Sequence, residues 1–556
     1  MAHHQGMSLV ALTNILFDDP FEKRFHADAR VRATELLLQE RIPVGVRAVH
    51  PRAEEVLTGR VVETLTGMLT RTYKDPDPET PRTQLLSNGT YNVMITTAGS
   101  GYSNCGVNAV TRWREDVTRD NWGTFVYLRD VRSGAVWSAT HQPVLKRPQS
   151  YEVAFSEDRA DFWRSDDALV THTQVVVSAE DNAEVRRISL TNNSQRVREI
   201  ELTSYAEVVL ATPQADAAHP AFSNLFIQTE FFSAENALLA HRRQRSISDE
   251  EIWGIHVVVV EGDAVGTVQY ESDRSRFIGR GHSTADPVAV MEDRPLSNTT
   301  GAVLDPVFSL RRRVRIRPGE TVHCSFSTIV ASSREQATML ADKYHDPNTF
   351  DRELQLAWTK AQVEMGHLNI DAEEAHLFQR LAARMIYSEP SLRPSPHVLA
   401  LNTKAQSSLW AYGISGDLPI LVVRIERTED LSEVRKIIRG HEYLHYKGLT
   451  MDLVILNDNP TSYFESLQKE LELLVRTSGL QSLQDKPGGV YLRRADQMPE
   501  ADRILLHAVA RAVIVCNRGP LEDQIERRMG PVESTAILIH PVMRPCFPRS
   551  NCTEYC

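Results

Sequence analysis

The chain lacks a surplus of positive charge: 62 Lys and Arg stand against 73 Asp and Glu, a formal net charge of −11. A nucleic-acid binder draws its affinity from excess cations, so no nucleic-acid partner is expected. No window holds the roughly 18 consecutive apolar residues of a membrane span, and no membrane contact by this segment is expected either. Cysteine is scarce, 6 in 556 residues, which excludes a secreted disulfide scaffold. Cys105, Cys324 and Cys516 are scattered. Cys546, Cys552 and Cys556 crowd the end without a fourth ligand at zinc spacing, so no metal is expected. The opening "MAHHQGMSLVALTNILF" has no basic leader, which leaves the cytoplasm as the default compartment. What remains is 42% hydrophobic side chains, enough for real cores, on a length that implies two to four domains.

Residues 1–40 carry a helical pattern, with Leu9, Val10, Leu12, Ile15 and Leu16 on one face. The chain thus begins inside a helical pattern, which points to a segment upstream. Residues 72–84 are charged and proline-rich, a linker by composition. From 85 to 332 the period changes to two, in runs such as "THTQVVVSAED", "REIELTSYAEVVLA" and "IHVVVVEGD" separated by turn signals. Short strands without interleaved helices predict one large antiparallel sandwich, with Val175, Val176, Val177, Ile188, Ile200, Leu202, Val257 and Val259 in its core. Past Ser332 the pattern turns helical, opening on a capping-box-like Ser333-x-x-Gln336. From about 396 it is mostly helical with a few apolar runs, and "SYFESLQKELELLVRTS" and "EADRILLHAVARAVIV" predict amphipathic helices.

Four places could carry chemistry. His441-Glu442-Tyr443-Leu444-His445 matches the H-E-x-x-H of zinc peptidases, which on a helix puts two imidazoles on one face; no third ligand follows, and the stretch fits a plain helix ending at Gly448 equally well. Asp417, in "ISGDLPI", is either a catalytic carboxylate or a helix N-cap before Pro419. "HHQG", residues 3–6, lines a polar pocket or is an exposed helix start. The stretch 96–130, "TTAGSGYSNCGVNAVTRWREDVTRDNWGTFVYLRD", is richer. Tyr102, Trp113 and Trp122 offer ring faces of the kind that stack on sugars. Arg112, Arg114, Glu115, Asp116, Arg119 and Asp120 offer forks for hydroxyl pairs, and the Gly-Ser-Gly-Tyr turn lets backbone approach a ligand. The competing reading is a sandwich loop whose tryptophans pack inward and whose charges form weak surface pairs.

"LLSNGTYNVMITTAGSGYS", "AVTRWREDVTRDNWGTFVYLRDVRSGAVWSATHQP", "YEVAFSEDRADFWR", "SYAEVVLATPQADAAHPAFSNLFIQTEF" and "SLWAYGISGDLPILVVRI" resemble the carboxyl-terminal region of bacterial cyclic β-1,2-glucan synthases. Within that region they are similar to the glycoside hydrolase family 94 phosphorylases, formerly grouped as glycosyltransferase family 36. The first residues resemble the end of the glucoamylase-like helical domain of those synthases.

The resemblance implies an α+β multidomain chain. Residues 1–45 would end the glucoamylase-like domain and 46–84 link it to a carbohydrate-binding β-supersandwich at 85–332. A helical linker at 333–395, an incomplete (α/α)-type domain at 396–540 and an atypical tail at 541–556 would follow. The implied ligand is a β-glucan oligosaccharide and the implied reaction inverting phosphorolysis, with no cofactor and with inorganic phosphate as co-substrate. The remainder of a larger synthase, anchored elsewhere in the bacterial inner membrane, would be the partner. Neither the family's acid-bearing segment nor its Gly-Ser-Gly-Asp-Trp-Asn string is found here, so the expectation is a piece without the catalytic centres. Two alternatives stay open: an intact small phosphorylase using Asp417 as acid, and a zinc peptidase through His441 and His445.

Overall fold

Where apolar and polar residues alternate, the backbone of the computed structural model is extended. In Leu169–Val177 the alternate residues Leu169, Thr171, Thr173 and Val175 are buried, and burial becomes continuous at Val175, Val176 and Val177. The reason is that helices cover the outer face of the sheet at that end. Val176, Val257 and Ile329 pack there against Ala337, Leu340 and Tyr344 of the helix Arg334–His345 and against Phe350 and Ala357 of the helix Thr349–Leu368. Residues 2–27, 70–246, 250–459 and 466–526 are described, in two units, Met1–Gly67 and Met68–Cys556. In the first unit, helix Ala2–Phe17 forms as the pattern predicts and Pro20–His26 follows it.

The second unit contains two large antiparallel sheets of ten and nine strands. The ten-stranded sheet runs from Arg71–Tyr73 at one edge, through Leu169–Val177, Ala183–Asn192 and Thr321–Ala331, to Gly301–Ala302 at the other. The nine-stranded sheet is centred on the long strand Arg198–Ala211, which pairs with Pro306–Ile316, Phe125–Asp130 and Asn108–Thr111. One core, with Val93, Leu128, Ile200 and Leu202 from one sheet and Phe162, Val175, Ile188 and Phe326 from the other, fills the space between them. Every core residue expected from the sequence is buried, Val175, Val177, Ile188, Ile200 and Leu202 in this core and Val176, Val257 and Val259 beneath the covering helices instead. Each fully buried aliphatic side chain stabilises by about 1.5–3 kcal/mol.

Arg71–Tyr73 corrects the linker reading of residues 72–84: it pairs with Val153, Ala154 and Phe155 as an edge strand, and Thr83–Ser87 already belongs to the nine-stranded sheet. Residues 28–69, with the rest of the 1–40 helical pattern and part of the expected linker, and residues 527–556, with the tail 541–556, lie outside the described residues. The expected cap at 333 is present: the Ser333 hydroxyl accepts from the Gln336 amide, and the Gln336 carboxamide accepts from Ser332. No helix among the described residues is long and apolar enough to cross a membrane.

The largest departure falls after residue 396, where a mostly helical, incomplete (α/α)-type domain was expected. Ile420–Ile425, Asp452–Asn457, Val490–Arg494 and Ala512–Val515 instead form a four-stranded parallel sheet. Helices Leu431–Tyr446, Ser466–Thr477 and Glu500–Val509 alternate with the strands. Strands buried on both faces read as short continuous apolar runs, so periodicity does not separate them from buried helix. Leu421, Val423, Leu453 and Ile455 pack on one face with Val434, Ile437, Leu467 and Leu471, and with Leu85 and Met94 of the sandwich. Val422, Val454 and Leu456 pack on the other with Leu505 and Leu506.

Candidate functional site

The glycines that open the 96–130 stretch turn the chain against itself. Gly99 and Gly101 have φ of 92° and 147°, and a Cβ on Gly101 would overlap the Met94 carbonyl. The close approach expected of a ligand is thus made by the protein's own backbone. Gly101 also donates to the Trp122 carbonyl at 2.8 Å, closing the loop between them.

Trp113 is half-buried. Its ring stands edge-on to Tyr102 at 5.5 Å and to Tyr387 at 5.9 Å, so two aromatic neighbours hold it against the core beneath the parallel sheet. Burial raises the Tyr102 phenol to about 12. Trp122 is half-buried as well. Trp113 thus packs inward, as in the competing reading of the sequence, and Trp122 holds the loop through its carbonyl.

Arg112 is buried and encircled. Its guanidinium donates to Glu207 at 2.6 Å, to Asp216 at 3.1 Å, to Asp305 at 3.2 Å and to Asn224 at 2.9 Å. Burial works against its charge, but Asp216, Glu207 and Asp305 outweigh that and hold its pKa above the usual arginine value. Arg114 pairs with Asp216 from the other side and donates to the Trp113 carbonyl at 2.8 Å. This network belongs to the frame; a ligand hydroxyl would have to displace a buried carboxylate to reach Arg112.

Glu115 accepts from Arg511 at 2.8 and 2.6 Å and from the Ser388 amide at 3.0 Å. Burial pushes its pKa up, yet the Arg511 hydrogen bonds and charge leave it below the usual carboxylate value. Asp116 makes a local turn, accepting from the Thr118 amide at 3.0 Å and hydroxyl at 2.6 Å. Arg119 is exposed, and its carbonyl accepts from Gln142 at 2.7 Å.

Asp120, with φ of 43°, accepts from Thr96 and Tyr387 hydroxyls at 2.8 Å each. Burial raises it to about 6 against the lowering effect of those two hydroxyls. Tyr387, Asp216, Glu207 and Arg511 were not anticipated as partners of this loop; each comes from a segment distant in the chain.

Asp417 is exposed in a turn, accepting from Gln406 at 3.0 Å, and leads into the strand Ile420–Ile425. The helix-cap alternative is thereby corrected: Pro419 precedes a strand. His441 is buried, with Nε2 2.8 Å from the Met451 carbonyl and its pKa lowered to about 4 by burial. His445 lies exposed on the same helix, so the two imidazoles face different surroundings. Among the described residues no cluster of three or more His, Cys, Asp or Glu is placed to hold a metal. Residues 3–6, "HHQG", lie in the helix Ala2–Phe17, with Gln5 and Gly6 exposed.

Comparison with known proteins matches residues 67–347 to the model described as glycosyl hydrolase 94, supersandwich domain, which spans the two large sheets. The chain is 38% identical over 527 residues to the cyclic beta-(1,2)-glucan synthase NdvB of Rhizobium meliloti (strain 1021), covering 95% of this chain and 19% of that protein. It is 28% identical over 285 residues to the N,N'-diacetylchitobiose phosphorylase of Vibrio furnissii, covering 50% of this chain and 34% of the relative. It is 24% identical over 227 residues to the solabiose phosphorylase of Paenibacillus borealis, covering 41% and 28%. The chain thus spans about a third or less of the length of each relative. Through its supersandwich domain the chain belongs to the glycosyl hydrolase 94 family.

Proposed function

We propose that this chain is a β-glucan-binding part of a protein of the cyclic β-1,2-glucan synthase type, and that by itself it carries out neither phosphorolysis nor cyclisation. The supporting observation is the 38% identity to a glucan synthase across 95% of the chain, which takes in the parallel sheet as well as the supersandwich. The ligand on this reading is a β-glucan oligosaccharide and the partner is the rest of a synthase. Phosphate would serve only as a co-substrate, no cofactor is required, and the cytoplasm is kept as the compartment.

An inverting phosphorolysis needs a proton donor and a phosphate-holding cation on opposite faces of one sugar, within a few ångströms of each other. Asp417 and Arg424 are the residues from which the intact-enzyme alternative would build that pair. They flank the strand Ile420–Ile425, Asp417 before its start and Arg424 near its end. At about 3.3 Å per residue the strand segment from Ile420 to Arg424 alone spans about 13 Å. Arg424 is moreover paired with Asp458 at 2.6 Å.

The test is incubation of the purified chain with β-1,2-gluco-oligosaccharide and inorganic phosphate, with assay of glucose 1-phosphate. No release is expected. Steady release that Asp417→Asn abolishes would overturn the proposal in favour of an intact phosphorylase.

A further inference from the structure

The parallel sheet has the strand order Val490–Arg494, Asp452–Asn457, Ile420–Ile425, Ala512–Val515. In chain order that is 3-2-1-4, the beginning of a doubly wound sheet. Helices after the first two strands pack on one face, and helix Glu500–Val509 on the other. The order in which strands are added therefore reverses between Ile420–Ile425 and Ala512–Val515. In such sheets the loops leaving the carboxyl ends on either side of the reversal part and leave a crevice, where ligands bind.

A crevice of about 390 Å³ lies there, lined by residues from all four strand ends, among them Arg424, Glu426, Asp458, Asp496 and Asn517. The register explains the convergence. Ile425 pairs with Asn457, Asn457 with Arg494, and Arg424 with Val515, so the four loops start side by side. The volume falls within the roughly 300–1,000 Å³ of small-molecule sites.

The walls identify the ligand class. Glu426, Asp458 and Asp496 face Arg424 and Arg503, so the lining carries no surplus of positive charge for an anion. The turn after the first strand, which cradles phosphate in nucleotide-binding sheets, has no glycine here and reads Glu426-Arg427-Thr428-Glu429-Asp430. Its carboxylates sit where a phosphate would dock, at the start of helix Leu431–Tyr446.

What remains is a set of oriented hydrogen-bonding forks. Arg424 holds Asp458 at 2.6 Å, Arg494 holds Asp496 at 2.7 Å, and Asn459 is fixed by donating to the Glu426 carbonyl at 2.9 Å. Ala495 and Val515 add small apolar walls. Fixed carboxylate, amide and guanidinium groups beside a small apolar surface suit a ring that bears hydroxyls on its edge and C–H bonds on its face.

We propose that this crevice, bounded by Arg424, Asp458, Arg503 and Asn517, is a binding site for a neutral saccharide. The choice of a β-1,2-glucan as that saccharide rests on the function proposed above; the site and its ligand class rest on the crevice alone. It makes the parallel-sheet subdomain a sugar-holding element next to the supersandwich.

The experiment uses the full chain and two readouts. Calorimetric titration with a linear β-1,2-gluco-oligosaccharide is run on the wild type and on the Arg503→Gln/Asn517→Ala variant, with inorganic phosphate and a nucleoside diphosphate as further probes. Deuterium exchange of the wild type with and without the oligosaccharide locates the protected segments and decides the matter if the variant misfolds. Expected are an affinity about ten-fold or more weaker in the variant and protection at 424–427, 457–459 and 494–497. Oligosaccharide binding with unchanged affinity in the variant and protection elsewhere overturns the crevice site and leaves the proposed function standing. Protection of these segments by phosphate or the nucleotide, and not by the sugar, overturns the ligand class. Absence of any saccharide binding overturns the site and the proposed function together.

Discussion

Glu115 and Arg511 stand 396 positions apart in the chain and meet fork to fork, Nη1 and Nη2 of the arginine reaching the two carboxylate oxygens at 2.8 and 2.6 Å. The pair joins the supersandwich loop to the parallel-sheet subdomain. The Ser388 amide joins the same carboxylate from the connecting segment, at 3.0 Å. The pair is part-exposed, so its contribution is discounted for solvent screening: about 0.5–1 kcal/mol is expected for a bidentate pair of this kind. In a double-mutant cycle of Glu115→Gln and Arg511→Met, urea unfolding should show coupling of that size. Additive effects within error would mean that the pair does not join the two parts.

Trp113→Ala removes the ring held between Tyr102 and Tyr387. The expected effect is a loss of stability of about 2–4 kcal/mol, from lost burial and two edge-on contacts. Thermal unfolding measures it. A variant as stable as the wild type but weaker in glucan binding would return Trp113 to the sugar-stacking role first expected of it.

Gly101→Ala forces a side chain into left-handed backbone and onto the Met94 carbonyl. Neither partner is a flexible side-chain end, so the strand pair Tyr91–Thr96 and Gly101–Cys105 must shift. A destabilisation of at least about 2 kcal/mol is expected, visible as lower soluble yield and an earlier melt.

Asp120 gives the pH dependence. Its pKa is raised to about 6 by burial, so the folded chain holds this proton more tightly than the unfolded one. That contribution is complete below the unfolded-state value near 4 and is lost as pH rises through about 6. Asp120→Asn keeps a neutral acceptor for the Tyr387 hydroxyl at every pH. Urea unfolding of both proteins between pH 4.5 and 8 should show the wild type falling relative to the variant as pH rises, by on the order of 1 kcal/mol or more. A difference independent of pH would place the Asp120 titration outside this window.

Legibility in the sequence followed how local each signal was. The alternation in "THTQVVVSAED" and its neighbours marked the sandwich, because half-buried antiparallel strands write their two faces into a period of two. "ILVVRI", "DLVILN" and "AVIV" carried no such mark, and between strong amphipathic helices they passed for helix. The repeated succession of a short apolar run and an amphipathic stretch was the available signal for a parallel sheet. In the 96–130 loop the residue types were conspicuous but their partners were not. Arg112 resembles a ligand fork until Glu207, Asp216 and Asp305 arrive from elsewhere in the chain to surround it. The crevice beside Arg424 depends on strand order, which no stretch of sequence displays.

On the function proposed above, this chain holds β-glucan without processing it. Isothermal titration of the intact chain with linear β-1,2-gluco-oligosaccharide, phosphate present and the recovered sugar sized afterwards, tests it most directly. Saturable binding is expected, weaker for a β-1,4-linked oligosaccharide of equal length, with every oligosaccharide recovered at its original size. No heat of binding for any β-glucan, or recovery of shortened chains with glucose 1-phosphate, would contradict it.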